Sequence, residues 1–289
     1  MSKTIEEVMT KLQERIRSQA GSSDGSEKDE RKYTCEKCKD RGFTLETVEY
    51  INPFTQKPML KGGEVLMTQQ AKDCTCLSWR RSERIIKSSE ITDQFKNIGF
   101  GSFKTEDKPQ LIKDLFRCAM DYYTDFDQFN KTRRNSIALL GHPGSGKTHL
   151  LTAISNNLMQ KKSVSVLYFP YVEGFNDLKD DFGKLEQKLE RMKRVDVLFI
   201  DDLFKPVTKE IKGERVKVPR ATEWQIEQTY AVINHRYLNY KPIMISSELT
   251  VDEMFDIDEA LSSRIYEMCK DFTVVVKGDR KELNHRLED

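Results

Sequence analysis

The residues with the clearest chemical role lie in one short stretch, GHPGSGKT, which runs from Gly141 to Thr148. It fits the pattern G-x-x-x-x-G-K-[ST], in which glycines let backbone N–H groups point inward and surround phosphate oxygens. The lysine of this pattern reaches the β- and γ-phosphates, and the hydroxyl residue after it holds Mg²⁺. The predicted nucleotide-binding residues here are Gly141, Pro143, Gly144, Ser145, Gly146, Lys147 and Thr148. The stretch therefore predicts that the protein binds a nucleoside triphosphate.

Two acids, Asp201 and Asp202, follow the apolar run from Val197 to Ile200. A buried strand that ends in carboxylates places them at the carboxyl edge of a parallel sheet, beside a phosphate-binding loop. We expect Asp201 to bind Mg²⁺, directly or through water. We expect Asp202 to orient and polarise the water that attacks the γ-phosphate.

Alternating strand-like and helix-like segments would position these groups. The apolar run Ile137–Leu140 leads into the phosphate-binding loop, and a helical pattern follows it. The strand-like segments are NSIALLG, SVSVLYFP, VDVLFIDDL, KPIMISSEL and FTVVVKG. Strands that alternate with helices indicate a parallel sheet, because parallel neighbours need a crossover connection. The sequence therefore predicts an α/β fold with a parallel five-stranded sheet.

Four of the six cysteines form two close pairs, Cys35-x-x-Cys38 and Cys74-x-Cys76. Two pairs of thiolates at this spacing complete a tetrahedral Zn²⁺ site, and the short strands predicted between the pairs are typical of a zinc ribbon. Unliganded thiols and an iron–sulfur cluster are the alternatives that the spacing leaves open. A module this small would depend on its metal for stability.

Composition sets the outer limits. The chain has 289 residues, 37% hydrophobic and 33% charged, with a formal net charge of +1. Nucleic-acid contact would therefore need a local basic patch. No apolar run is long enough to cross a bilayer, the first residues lack the apolar core of a signal peptide, and the cysteine usage suits a reducing compartment. These features favour a cytoplasmic protein without membrane contact.

The order of these elements resembles the AAA+ ATPases of the DnaC/DnaI type, which load replicative helicases in bacteria and phages, and whose ATP-binding core is IstB-like. Further agreement comes from SEITDQFKNIGFGSF, EWQIEQTYAVINHRYLNYKP and SSRIYEMC. The chain looks like a phage or prophage version, and its cysteine module is similar to the zinc-binding N-terminal domain of DnaI-like loaders. The resemblance implies ATP as the nucleotide and a core without a C-terminal helical lid.

The predicted organisation has six parts. They are an amphipathic helix (1–19), a flexible linker (20–32), a four-cysteine zinc-binding module (33–78), a linker (79–99), an AAA+ ATPase domain (100–280) and a tail (281–289). The helix carries an apolar stripe that would pack on its own domain or dock on a partner.

Further roles follow from the resemblance. Arg264, in SSRIYEM, matches the arginine finger that acts on ATP held by a neighbouring subunit, and Phe103 lies near the segment that lines the base pocket. The family's fourth strand usually ends in an asparagine that contacts the γ-phosphate or the water. Here Glu248 stands at that position and would repel phosphate. We expect Ser247 to substitute for the asparagine, or hydrolysis to be slow.

The resemblance implies an ATP-dependent loader that engages a DnaB-type helicase hexamer through its N-terminal region and places it on single-stranded DNA. ATP binding would drive homo-oligomeric assembly, and hydrolysis would drive release. The lysine-rich segment 204–220 reads as a long loop that either contacts a single strand or is simply solvated. The alternatives are an IstB-like transposition helper and a nucleic-acid-binding adaptor that uses ATP as a switch.

Overall fold

Residues 33–179, 181–211 and 214–287 are described in the computed structural model of the chain. The chain divides into two compact units, residues 1–74 and 75–289. The predicted N-terminal helix (1–19) and its linker (20–32) lie outside the described residues.

An antiparallel hairpin dominates the described part of the first unit. Strand β1 (Phe43–Glu49) pairs with β4 (Met67–Asp73), and the short strands β2 (Leu60–Lys61) and β3 (Glu64–Val65) pair around a glycine turn. Most side chains on both faces of this hairpin are exposed. The buried side chains among the described residues of this unit are those of Cys38 and Cys74.

A five-stranded parallel sheet forms the centre of the second unit. Its strands are β5 (Ile137–Gly141), β6 (Val166–Pro170), β7 (Val197–Asp201), β10 (Ile243–Ser247) and β11 (Thr273–Val276). The order across the sheet is β11-β5-β10-β7-β6, and all neighbours are parallel. The predicted fold class, with its five parallel strands, is confirmed.

Helices cover both faces of this sheet. They are α1 (Cys76–Ser88), α2 (Gln110–Phe129), α3 (Lys147–Lys161), α4 (Tyr171–Asn176), α5 (Phe182–Arg194), α6 (Glu223–Leu238), α7 (Val251–Phe255), α8 (Glu259–Cys269) and α9 (Arg280–Leu283). Because strand side chains alternate, Leu139 packs in one core cluster with Leu150 of α3, and Leu140 in the other with Ile265 of α8. Helices α2 and α3 thus lie on one face, and α5, α6 and α8 on the other.

The predicted linker 79–99 is an ordered part of the second unit, which corrects the expectation from sequence. Helix α1 occupies its first half, and Ile85 and Ile86 pack against the core on the α3 face. Ser89 is fully buried, and its carbonyl accepts a hydrogen bond from the Tyr168 N–H at 2.8 Å. Apolar packing and this backbone hydrogen bond to β6, an edge strand of the sheet, hold the segment in place.

The segment 204–220 is also different from the predicted loop. Strands β8 (Pro206–Ile211) and β9 (Glu214–Pro219) form an antiparallel hairpin in which Val207 lies opposite Val218. The sequence PVTKEI…ERVKVP does alternate apolar and polar residues, which is the period of a strand. The many lysines favoured the prediction of a solvated loop over that of a strand.

After β11 the described chain continues with the four-residue helix α9 and a 3₁₀ turn, His285–Leu287. Within the described ranges, no helix has the length and apolar character needed to cross a bilayer.

Candidate nucleotide site and four-cysteine cluster

The phosphate-binding loop connects β5 to α3, as its sequence predicts. Gly141 and Gly146 both adopt left-handed backbone angles, with φ of 95° and 87°. A Cβ atom on Gly141 would lie 2.1 Å from the Val276 carbonyl oxygen, and one on Gly146 would lie 2.3 Å from the Phe103 ring. Glycine is therefore required here by backbone conformation and by close approach of neighbouring segments.

Lys147 is held inside the loop. Only 6% of its surface is exposed, and its Nζ donates to the carbonyl oxygens of Gly141 at 2.9 Å and His142 at 2.7 Å. Burial lowers the pKa of Lys147 to about 8, while the negative charges of Glu248, Asp202 and Asp201 oppose that shift. An ammonium group so placed, at the N-terminus of α3, is suited to an anionic ligand.

Asp201 ends β7 and is the centre of the polar network. Its Oδ1 accepts a hydrogen bond from Thr148 Oγ1 at 2.8 Å and another from the Ser246 hydroxyl, and its Oδ2 accepts one from the Tyr168 hydroxyl at 3.1 Å. Burial raises the pKa of Asp201, and these hydrogen bonds work against the rise. The structure thus brings together Thr148 and Asp201, whose oxygens are of the kind that Mg²⁺ prefers.

Asp202 follows in a left-handed conformation, with φ of 54°. Its Oδ2 lies 2.6 Å from Lys205 Nζ, and its backbone N–H donates to Ser246 Oγ at 2.8 Å. The hydrogen bond and charge of Asp202 raise the pKa of Lys205, with a smaller contribution from Glu248. Lys205 was assigned to the loop 204–220 by sequence, and its pairing with the second acid was not foreseen.

The two serines at the end of β10 have different surroundings. Ser246 bonds to Asp201 and to the Asp202 N–H, whereas the Ser247 hydroxyl donates to the Leu203 carbonyl at 2.7 Å and accepts from the Leu249 N–H at 3.1 Å. The strand period explains the difference: Ile245 lies opposite Ile200 in the register, so Ser246 falls beside Asp201 on the α3 face. Ser247 points to the other face, and the polar group beside the acids is that of Ser246.

Glu248, the residue after β10, is partly buried. Its charge raises the pKa values of both Lys147 and Lys205, which places it within electrostatic reach of the loop lysine. The position that the resemblance assigns to an asparagine is therefore occupied by an acid whose negative charge acts on Lys147.

The C-terminal turn packs on the phosphate-binding loop, a feature that sequence reasoning missed. The His285 N–H donates to the Gly144 carbonyl at 3.0 Å, and a Cβ on Gly144 would lie 1.9 Å from Asn284 Oδ1. The His285 ring lies 5.0 Å from the Phe103 ring, and Phe103 in turn lies 5.4 Å from His149. Phe103 thus borders the phosphate-binding loop, and so do Asn284 and His285.

Arg264 is not part of this network. It lies on α8, and its Nε donates to Asn234 Oδ1 at 2.9 Å while its Nη1 donates to the Ala260 carbonyl at 2.6 Å. Helix α8 covers the face of the sheet opposite α3, the helix that carries Lys147 and Thr148. Both hydrogen bonds of Arg264 therefore go to residues of α6 and α8.

The four cysteines predicted as metal ligands do come together. The Sγ atoms of Cys35, Cys38, Cys74 and Cys76 all lie within 4.8 Å of one another. Cys35 Sγ and Cys74 Sγ are 3.8 Å apart, which matches the separation of about 3.8 Å expected between two ligands at 2.3 Å from a tetrahedral Zn²⁺. The Gly42 N–H donates to Cys38 Sγ at 3.4 Å, as suits a thiolate. The donor set and its spacing fit zinc.

Comparison with known proteins agrees with this geometry. A model of the family described as "IstB-like ATP binding protein" matches residues 65–287. The phage-like element PBSX protein XkdC of Bacillus subtilis (strain 168) is 49% identical over 286 residues, which cover 99% of this chain and 98% of that protein. The replicative helicase loader DnaC of Escherichia coli (strain K12) is 25% identical over 241 residues, 79% of this chain and 89% of that protein. The solved structure of the DnaC helicase loader superposes with a TM-score of 0.50 at 23% identity, covering 64% of this chain and 100% of that one.

The fold and the loop define an ATPase of the AAA+ class. Since the family model matches well over half of the sequence, the chain belongs to the IstB-like ATP-binding family. The resemblance to the DnaC-type ATPases is confirmed by these comparisons.

Proposed function

We propose that the protein is an ATP-dependent loader that places a DnaB-type replicative helicase on single-stranded DNA. The observation that carries this proposal is its similarity to the loader DnaC over 89% of that protein, joined to a nucleotide site with a complete set of loop and acid residues. ATP binding drives assembly of several copies, and hydrolysis releases them. The similarity to a phage-element protein suits a phage or prophage setting.

Within the chain, Lys147 and the N–H groups of the loop bind the triphosphate. Thr148 and Asp201 hold Mg²⁺, which would supply charge neutralisation at the β- and γ-phosphates. Asp202 orients the attacking water, and the ion pair with Lys205 fixes the direction of its carboxylate. Ser246 supports both acids, and we assign it the assisting role that sequence gave to Ser247.

Arg264 acts on ATP bound by a second copy. Its guanidinium is planar and permanently charged, so it stabilises the charge that spreads over the γ-phosphate in the transition state. Its place on the face opposite α3 supports action between copies.

The four cysteines hold Zn²⁺, and the metal fixes the module in the N-terminal region that engages the helicase. The spacing of the four sulfur atoms supports this assignment. The exposed apolar side chains of the hairpin, among them Leu45 and Leu60 at 52% and 62% exposure, suit contact with another protein. The hairpin β8–β9, with its several lysines, is the candidate contact for the DNA strand.

The experiment is a loading assay with the full chain, a DnaB-type hexamer and a closed circle of single-stranded DNA. With ATP and Mg²⁺, the wild-type chain transfers helicase to the circle, and Lys147→Ala does not. Lys161→Ala, an exposed lysine at the other end of α3, is the matched control and loads as wild type does. Equal loading by Lys147→Ala, or in the absence of the protein, would contradict the proposal.

A second candidate function is a transposition helper, because the matching family is described as IstB-like. The four-cysteine cluster argues against it. ATP-dependent stimulation of a transposase, with no effect on a helicase, would favour this alternative.

A third candidate is an adaptor that uses ATP as a switch, supported by the negative charge of Glu248, which acts on Lys147. ATP binding without detectable ATP turnover, with DNA and helicase present, would favour the switch.

A further inference from the structure

Asp201, the acid that ends β7, has a donor on each of its two carboxylate oxygens. Thr148 and Ser246 both donate to Oδ1, and within the described part of the chain the Tyr168 hydroxyl is the donor to Oδ2, at 3.1 Å. The χ2 torsion of an aspartate is broad, so a carboxylate held through one oxygen alone still samples a range of directions. The contact with Tyr168 therefore fixes the plane of the carboxylate.

The parallel register of β6 and β7 explains how Tyr168 reaches this acid. Tyr168 lies opposite Phe199, two residues before Asp201. Side chains two residues apart share a face of the sheet, and two residues span about 7 Å along a strand. A long side chain that ends in a donor is needed to bridge that distance. Phenylalanine at this position would offer the same ring without the donor.

Tyr168 has little freedom to move, because it is buried, with 7% of its surface exposed. Its ring meets the Phe199 ring edge-on, with 5.1 Å between centres, and the Phe95 ring edge-on at 6.0 Å. Burial and the negative charge of Asp201 raise the pKa of Tyr168, so the hydroxyl stays protonated. The tyrosine is therefore a rigid donor to Asp201.

The segment that follows α1 holds Tyr168 in turn, and we call its residues 89–95 the bracing segment. The Ser89 carbonyl accepts the Tyr168 N–H at 2.8 Å, and the Phe95 ring packs on the Tyr168 ring. The segment has its own anchor at Glu90, which forms ion pairs with two basic residues of α5. A chain of direct contacts thus runs from the bracing segment to the carboxylate of Asp201.

We propose that Tyr168 is a positioning residue for Mg²⁺ at the nucleotide: its hydroxyl holds the Asp201 carboxylate in the direction that the metal requires, and the bracing segment holds Tyr168. This role rests on the proposed binding of Mg²⁺ by Thr148 and Asp201. It adds to that site a residue of β6, a strand that carries neither the phosphate-binding loop nor the two acids. Removal of a hydrogen-bond partner from a metal ligand typically lowers metal affinity about 10–100-fold.

The first test measures the affinity of the full chain for a non-hydrolysable fluorescent ATP analogue, in EDTA and at saturating Mg²⁺. The ratio of the two dissociation constants is the gain in affinity that the metal supplies. Tyr168→Phe removes one hydroxyl and keeps the ring, so its affinity in EDTA equals that of the wild type while the gain falls about tenfold. Tyr171→Phe is the matched control, because Tyr171 is also buried but lies in the core cluster on the other face of the sheet, and it keeps the full gain.

Three results for Tyr168→Phe would overturn the proposal. The first is an unchanged gain. The second is an equal loss of affinity with and without the metal, which would mean that the substitution disturbs the phosphate-binding loop rather than the metal. The third is a lower free energy of unfolding in urea with the full gain retained, which would make the bond to Asp201 a purely structural one.

The second test asks whether the bracing segment acts through the Tyr168 hydroxyl. Phe95→Leu removes the ring contact and keeps the Phe95 carbonyl, which accepts a hydrogen bond from Asn156 at 2.8 Å. The gain falls about threefold in the wild-type background and no further in the Tyr168→Phe background, because residues that act through one contact are not additive. Equal falls in both backgrounds would overturn the role of the bracing segment.

Neither test needs helicase or DNA, so the outcome is independent of loading. A wild-type chain that shows the Mg²⁺-dependent gain but loads no helicase would refute the loader proposal and leave the role of Tyr168 standing. A wild-type chain whose affinity for the analogue does not depend on Mg²⁺ would overturn the role of Tyr168.

Discussion

The two units of the chain are stabilised in different ways. The second unit packs two apolar clusters against the faces of its parallel sheet, with residues such as Leu139 and Leu140 almost fully buried. The described part of the first unit has exposed strands on both faces, and its buried side chains are cysteines. In one unit burial of apolar surface supplies the stability, and in the other we expect a metal ion held by the four cysteines to supply it. The difference predicts that the two units respond to different perturbations.

The largest expected effect is removal of the metal. Chelation, or Cys38→Ser, should unfold residues 33–74, because a structural Zn²⁺ contributes on the order of 10–16 kcal/mol in small modules. The second unit should keep its fold and its affinity for ATP. Hydrogen exchange followed by mass spectrometry measures both in one sample, and Cys118→Ser, outside the four-cysteine cluster, is the control. Equal protection of the hairpin with and without metal would refute this contrast.

The next largest effect, a loss of stability of the second unit, is expected on substitution of Arg236, the fully buried arginine of α6. Its guanidinium donates to carbonyl oxygens of Met192, Val195, Asp196 and Pro242 at 2.6–3.0 Å, and burial lowers its pKa to about 9. Arg236→Ala should cost about 3–5 kcal/mol, as for other broken buried charge networks. Urea unfolding of the second unit measures the loss.

For this prediction Arg117→Ala is the control, since Arg117 is an exposed residue of α2 and its loss should change the free energy of unfolding by less than about 0.5 kcal/mol. Metal binding by the four cysteines should be unaffected by Arg236→Ala. A loss below 1 kcal/mol would mean that water or neighbouring donors satisfy those carbonyls.

The smallest expected effect separates the two serines of β10. Ser246→Ala removes hydrogen bonds to both acids, so kcat should fall about tenfold, the effect of roughly one net hydrogen bond to a charged group. Ser247→Ala breaks a link between Leu203 and Leu249, so it should cost about 1 kcal/mol of stability with kcat within twofold. Steady-state ATP hydrolysis measures kcat of both variants, and urea unfolding measures their free energies of unfolding. The reverse pattern would restore the role first given to Ser247.

Sequence reasoning reached the sheet, the phosphate-binding loop and the four cysteines because each has a local pattern with a physical cause. The five strands are largely apolar runs, four of them buried on both faces, and the loop and the cysteine pairs have fixed spacings. One segment was misjudged because polar residues hid a regular period: the hairpin β8–β9, which was predicted to be a loop.

The missed parts of the site depend on contacts between distant segments. Asn284 and His285 lie against Gly144, about 140 positions earlier in the chain. No local sequence pattern indicates a contact between segments so far apart. Alternation along the strand shows from sequence that Ser246 and Ser247 lie on opposite faces of the sheet. The register between β10 and β7, which only the structure supplies, places Ser246 beside Asp201.

The central claim, that the loop Gly141–Thr148 binds ATP through Lys147, is tested most directly by titration calorimetry of ATP·Mg²⁺. The wild-type chain and Lys161→Ala should bind one ATP per copy with the same affinity. Lys147→Ala should show no measurable binding while its unfolding transition is retained. Binding by Lys147→Ala with wild-type affinity would contradict the account.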